Sequence, residues 1–441
     1  MSCMSISRWM LVGVLSVGWA AAVWADDVIP ADAAPRWWKG NLHTHTLWSD
    51  GDDYPEMVAE WYRTHGYNFL ALTDHNVLAQ GMKWMDRAAA DKRGNAGATQ
   101  KYLDRFGPAW VQSRVVAGKE EIRLKPLDEF RALVENRGRF ILIPAEEISD
   151  KVDGAPVHIN ASNIREAVPP LGGATVPEAI NNNLRNLEEQ AERAGREILA
   201  HLNHPNFKYA VTAEDIAHAV IDRHFEVYNG HPGTEQLGDV AHPAVERLWD
   251  IANTIRLVDL NAEPLFGIAT DDSHSYHGKP NASHPGRGWT MVRTTHLTPE
   301  YIVRAIKAGD CYASSGVTLS DVRFDAESKV LSLVIEADGD ATYKTQFIGT
   351  RRGVDTTGSE PATKPEKGRT SKKYSDQVGE VFAEAEGLSP RYVFKGDELY
   401  VRAVVTSSKV PADPSFEDQK QQAWTQPVGW SVRRAAGATS P

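Results

Sequence analysis

The stretch that decides the fold is Lys39-Gly40-Asn41-Leu42-His43-Thr44-His45-Thr46-Leu47-Trp48-Ser49-Asp50-Gly51. A short apolar run ends here in two histidines one residue apart, and an acidic turn follows. In an extended chain residues two apart share a face, so His43 and His45 present their rings to the same side. His-x-His alone arises by chance in exposed loops. Its weight comes from the places further on where apolar runs end in the same kinds of residue: Thr73-Asp74-His75, Glu146-Glu147, His158, His204-Pro205 and Asp271-Asp272-Ser273-His274.

Working outward, short apolar runs alternate with helical stretches from Trp37 to about Val317, the pattern of βα units. The strands predicted are Lys39–His43, Asn68–Thr73, Phe140–Pro144, Val157–Asn160, Ile198–Asn203, His224–Tyr228 and Phe266–Thr270. Helices are predicted at Pro55–His65, at Pro177–Ala194 closed by Gly195, and from Thr298-Pro299-Glu300 to Gly309. Nearly every histidine and carboxylate of the set falls at the C-terminal end of a strand. In a barrel of parallel strands those ends converge on one mouth, where active sites lie. Residues 77–138 are too long for a simple connection and read as an insertion that shapes the site. After about Leu319 apolar and polar residues alternate at the strand period. A small all-β, sandwich-like domain over 318–441 is expected, with a polar, mobile loop at 351–375.

The bulk numbers narrow the class. The 441 residues allow two domains, and 41% hydrophobic with 24% charged residues is ordinary for a globular protein. A net charge of −11 argues against duplex nucleic acid as a partner, since phosphate backbones attract basic faces. Residues 1–25 read as a signal peptide: Arg8, an apolar stretch from Trp9 to Trp24, and Val23-Trp24-Ala25 before Asp26-Asp27. The apolar stretch falls short of the ~20 residues of a membrane span. Cleavage, a linker at 26–36, and a periplasmic or secreted product with no stable span are expected. Cys3 would leave with the signal, so Cys311 would remain without a disulfide partner.

Six histidines (His43, His45, His75, His158, His204, His274) and three carboxylates in this pattern are too many ligands for one ion and suit two or three. Imidazole and carboxylate without thiolate favour borderline or hard divalent ions, with zinc, manganese and iron all compatible. Such ions make water nucleophilic at neutral pH, which points to a hydrolase.

Taken together, HTHTLWSDG, LTDHN, PAEEIS followed by VHIN, NHPN, FEVYNG and ATDDSH resemble the PHP (polymerase and histidinol phosphatase) superfamily of metal-dependent phosphoesterases, from Trp37 to about Val317. The resemblance implies a distorted (β/α)7 barrel over 37–317 holding two or three divalent metal ions. It implies Glu147, His158 and His204 on one ion, and His43, His45 and Asp272 on a second, with Glu147 bridging. Asp50, His75 and His274 would complete a third position. Within that resemblance Glu147 is preferred to Glu146 because it precedes Ile-Ser as the family's bridging glutamate does, and Asp272 to Asp271 because it matches the family's Asp-x-His.

Further roles follow from position. Asp74 is expected to orient His75 or a neighbouring ligand, with a turn-capping role as the alternative. His231 is a candidate proton donor to the leaving group, and Asn229 a substrate contact. Lys279 and Arg287, in the Gly- and Pro-rich segment after the last ligand, are candidates for an anion clamp. His201 reads as a core residue or a support for the cluster. The function expected is hydrolysis of a small phosphate mono- or diester. Hydrolysis of a carboxylate or carbamate ester on the same cluster is the alternative, and a metal-dependent binding protein without turnover a third reading.

Overall fold

The computed structural model describes residues 33–219, 223–362 and 364–432. The expected signal peptide and all but the end of the linker lie outside the described residues. No described helix is long and apolar enough to cross a membrane.

The fold is mixed α/β, built on a thirteen-stranded sheet. From one edge the strands run Phe266–Thr270, His224–Asn229, Leu199–Leu202, Ala155–Ser162, Ile141–Val152, Phe69–Leu72, Arg36–Asn41, Trp289–Thr294, Cys311–Ser314, Gln422–Thr425, Glu398–Ser407, Tyr343–Arg351 and Glu380–Glu386. The seven strands predicted before residue 271 are all present, six of them within a few residues of their predicted ends, whereas the one expected at Phe140–Pro144 runs on to Val152. Six run in one direction. Ala155–Ser162 is antiparallel to both neighbours, which corrects the expectation of a purely parallel set. The reason is local: Ile141–Val152 continues past Glu147 and folds straight back through Asp153-Gly154. Both turn residues have positive φ (49° and 84°), the two-residue turn whose twist matches a β-hairpin.

The helices follow their capping chemistry. Thr175 accepts from the Glu178 N–H to start Val176–Ala194, and Thr298 does the same through Tyr301 for Pro299–Ala308. Proline opens Pro55–Thr64 at its first turn. Beyond its C-terminal end, the Phe266–Thr270 edge meets the first strand again. His45 N–H donates to Ser273 O, Asp272 N–H donates to His43 O, and Thr44 pairs in parallel with Ser273. That contact draws the two histidines and the last acidic turn together.

The insertion forms a three-stranded antiparallel sheet (Lys83–Asp86, Lys119–Leu124, Ser113–Val116) with helices Arg87–Arg93, Ala98–Phe106 and Leu127–Val134. It leans on the first motif: Lys83 reaches Trp48 O and Arg93 donates to Ser49 O. The C-terminal part is joined to the main sheet. Four of its strands continue the main sheet through Cys311–Ser314. Leu319–Asp325, Val330–Ile335 and Arg391–Val393 form a second small sheet, and Leu331, Leu333, Tyr392, Phe347, Val401 and Ala403 pack between the two. Glu380–Glu386 and Gln422–Thr425, absent from the sequence expectation, complete this layer. Of residues 351–375, expected as a mobile loop, the stretch 369–374 is tied to the helix Ala213–Ala217 and its flanks. Arg369 pairs with Asp215, Ser371 Oγ accepts from Ala213 N–H, and Tyr374 donates to Glu214.

Candidate metal centre

The backbone around the first motif is set by buried polar bonds. His43 N–H donates to Asn41 Oδ1 and Thr44 N–H to Thr73 Oγ1, and Thr44 Oγ1 donates to Ala71 O. Thr44 thus faces the neighbouring strand while His43 and His45 both turn inward, fully buried. Gly51 closes the acidic turn against the chain it came from. A Cβ there would lie 2.6 Å from the His45 carbonyl carbon, so only glycine lets Asp50 swing back toward the histidines.

Glu147 is the hub. Its carboxylate lies 2.6 Å from His75 Nδ1, 3.0 Å from His158 Nδ1, 3.5 Å from both His43 Nε2 and His204 Nε2, and 3.6 Å from His45 Nε2. Asp272 lies 3.1 Å from His45, 3.2 Å from His43, 3.6 Å from His274 and 4.0 Å from His204. Asp50 reaches His274 at 3.4 Å, His75 at 3.5 Å and His45 at 3.7 Å. All nine residues singled out as ligands therefore meet in one place. They are more interleaved than the three sets implied: His75, assigned with Asp50, also abuts Glu147, and His158 and His204 approach Glu147 in separate groupings.

Five overlapping groups of ring nitrogens and carboxylate oxygens occur, with the atoms of each within 4.8 Å of one another. His43 Nε2, Glu147 Oε2 and His158 Nδ1 are buried and make no aligned hydrogen bond, although each faces another nitrogen or oxygen of the cluster at 2.6 to 3.2 Å. Buried polar atoms are normally satisfied, so this density of nitrogen and oxygen without aligned hydrogen bonds fits a cation-binding donor set. Electrostatics agree. Burial opposes charge on Glu147 and Asp272, yet the surrounding imidazoles hold both well below the usual carboxylate range. Burial and the charges of His274 and His75 push His45 down to about 3, leaving a neutral ring with a free lone pair. His75 is raised to about 10 despite its burial, because Asp50 and Glu147 both favour its charged form.

The adjacent acids go elsewhere. Asp271 Oδ1 and Oδ2 accept from Tyr62 and from the N–H groups of Gly286, Arg287 and Gly288. Glu146 accepts from Val168 N–H, and burial raises it to about 7. Asp74 does not bond His75. It accepts from Thr46 N–H, Thr46 Oγ1 and Ser49 Oγ and so braces the first motif, closer to the turn-capping alternative.

Arg287 corrects the anion-clamp expectation. Its guanidinium is buried against Asp413 and Gly230 O, so it ties the turn after strand His224–Asn229 to the C-terminal segment. Lys279 is exposed, and no bond of its side chain to the cluster occurs among the described residues. Asn229 is buried and donates to Asp272 Oδ2 and Glu226 Oε2, so it serves the cluster. His231 sits at the rim, its ring 5.7 Å from that of His274, with Nδ1 accepting from Gly233 N–H.

Glu226 was missed by the sequence reading. It accepts at 2.7 Å from His43 Nδ1 and takes the His204 N–H on its other oxygen, while His201 lies 3.6 Å away. Such a carboxylate fixes the tautomer and aim of a ligating imidazole. The signal was a lone acid within the otherwise apolar Phe225-Glu226-Val227-Tyr228. A charge there is buried and needs a partner.

No protein-family model matches the chain, and no curated protein matches it at the sequence level. Among the solved structures similar to it are two phosphoesterase-like proteins. One is a two-domain Bacteroides vulgatus protein containing a predicted PHP-like metal-dependent phosphoesterase: 14% identity, TM-score 0.37, covering 90% of this chain and 97% of that one. The other, a provisionally assigned metal-dependent phosphoesterase of Bifidobacterium adolescentis, shows 14% identity and a TM-score of 0.29 over 56% of this chain and 91% of its own. The reading of the site rests on the geometry above.

Proposed function

We propose that the chain is an exported metal-dependent hydrolase that cleaves a small phosphate mono- or diester. The observation that carries this reading is the interleaving of Glu147, Asp272 and Asp50 among six histidines, with buried ligand atoms left without an aligned hydrogen bond. His43, His45 and Asp272, together with Glu147, His158 and His204, would hold two divalent ions, and Asp50, His75 and His274 a third. Such ions supply a water of lowered pKa and neutralise developing charge on phosphoryl oxygens.

The chain's own residues set the rest. Glu226 and Asn229 aim His43 and Asp272, and Asp74 holds the turn that carries Asp50. His231, a neutral ring with Nδ1 accepting from Gly233 N–H, would present its Nε2–H at the rim as a hydrogen-bond donor to the leaving oxygen. The Thr44–Ser273 pairing supports reading the first seven strands as a distorted ring of (β/α)7 type with the cluster at its C-terminal mouth. The pattern of residues 1–25 supports export.

The test is metal analysis of the purified protein, followed by a panel of phosphate mono- and diesters beside aryl carboxylate and carbamate esters. Bound divalent metal with turnover of phosphate esters is expected. Turnover of carboxylate or carbamate esters alone would replace phosphate in this reading, and failure to retain metal after reconstitution would end it.

A further inference from the structure

A cleft of about 780 Å³ is lined by chain neighbours of the cluster, though by none of its ligands. One wall runs through Ala155 and Pro156, just before His158 in the same strand. It continues through Lys208, Tyr209 and Gly233, the last bonded to His231. Phe207 joins cleft and cluster: its ring lies 5.1 Å from His204, 6.3 Å from His158 and 6.5 Å from His231, with Lys208 Nζ 5.3 Å from its centre. The opposite wall is Lys367-Gly368-Arg369, from the C-terminal part of the chain.

The two walls are built to fit. His204, Lys208 and Tyr209 all hold positive φ (23°, 54° and 49°), a region disfavoured for residues with a Cβ. Such strain persists where the surroundings over-determine it and clusters at ligand clamps. The surroundings are plain here. Tyr209 stacks on His242 at 3.6 Å, and its carbonyl accepts from Arg369 N–H. A Cβ at Gly368 would lie 2.5 Å from Lys208 O.

Charge inside the cleft is uneven. Arg369 is committed to Asp215 and Ala210 O, and Lys367 reaches Glu235 at 3.3 Å. Asp153 lies at the hairpin turn. Lys208 has no carboxylate partner among the described residues, and its Nζ lies over Phe207, the ring that touches His204 and His158, so it is the basic group of the cleft linked to the cluster. Resting on the phosphoesterase reading above, we infer that this cleft receives the leaving portion of the substrate and that this portion carries a second anionic group. Lys208 meets that group, and Lys367 assists from the facing wall. The shared chemistry is a carboxylate or phosphate separated from the scissile phosphate by a short spacer.

The test uses the metal-loaded full chain and non-hydrolysable probes: alkylphosphonates of two to six methylenes, beside the same chains ending in carboxylate or a second phosphonate, titrated by calorimetry. At the best spacer length the doubly anionic probe should bind at least about tenfold more tightly than the plain alkylphosphonate. Lys208→Met should remove most of that advantage, with affinity for the plain probe and the melting temperature unchanged; Lys367→Met should remove less. An advantage for either terminal anion supports the inference and names the second group. Equal affinity for single and double anions overturns it, as does an advantage that survives in Lys208→Met. Because the readout is binding, a Lys208-dependent advantage without turnover of any phosphate ester would retain the anion cleft and reject phosphoester hydrolysis.

Discussion

Asp271 and Asp272 share one turn, yet their carboxylates face opposite ways. Asp272 is wrapped by His43, His45 and His274, whereas Asp271 gathers Tyr62 and three backbone N–H groups of the Gly286–Gly288 segment. Asp272→Ala should lose bound metal by elemental analysis. Asp271→Ala should keep it but lower stability to denaturant by about 3 kcal/mol, because several buried donors are left unpaired. Asp-x-His spacing made Asp272 legible in the sequence. Nothing in spacing marks Glu226, which acts through another residue's ring. Glu226→Gln is expected to weaken metal binding about 10–100-fold in a competitive chelator titration, with the fold intact.

At the scale of elements, apolar runs bounded by turn residues located the strands, since burial is what those runs record. Strand direction was not legible. An antiparallel return and a parallel neighbour bury the same residues, and only the Asp153-Gly154 dipeptide announced the hairpin. The helix Pro55–Thr64 was read from its proline and its apolar face, but its fully buried Glu56 was not. Tyr102 Oη and Trp110 Nε1 donate to Glu56 Oε1 while Oε2 has no partner, and burial raises the group to about 7. A carboxyl raised on folding stabilises the native state below its unfolded pKa and loses that contribution as pH rises through the folded value. Stability should therefore fall by about 3 kcal/mol between about pH 4.5 and 7 on account of Glu56. Glu56→Gln should flatten that part of the profile in denaturant titrations.

Across the whole molecule, the buried Arg402 forms two bonds to Asp250 of helix Val245–Val258, at 2.9 and 2.7 Å, and Tyr400 adds a third. A strand of the C-terminal layer thereby grips a helix of the preceding α/β part. Arg402→Met would leave Asp250 buried and uncompensated, so a loss of about 3–5 kcal/mol is expected. One cooperative unfolding transition should remain, since the layers share a sheet; two separated transitions would contradict that continuity. The sequence marked a change of strand pattern near Leu319 but not that the later strands would rejoin the earlier ones. Pairing partners far apart in the chain leave no periodic trace.

That shared sheet bears on how the molecule can be cut. Cys311–Ser314 stands between Trp289–Thr294 and Gln422–Thr425. A fragment trimmed at the apparent boundary near residue 317 would carry a raw strand edge with its backbone donors and acceptors bare, beside a cysteine that is buried in the intact chain. Such an edge recruits other chains, so the shortened protein would be prone to clumping however sound its metal ligands.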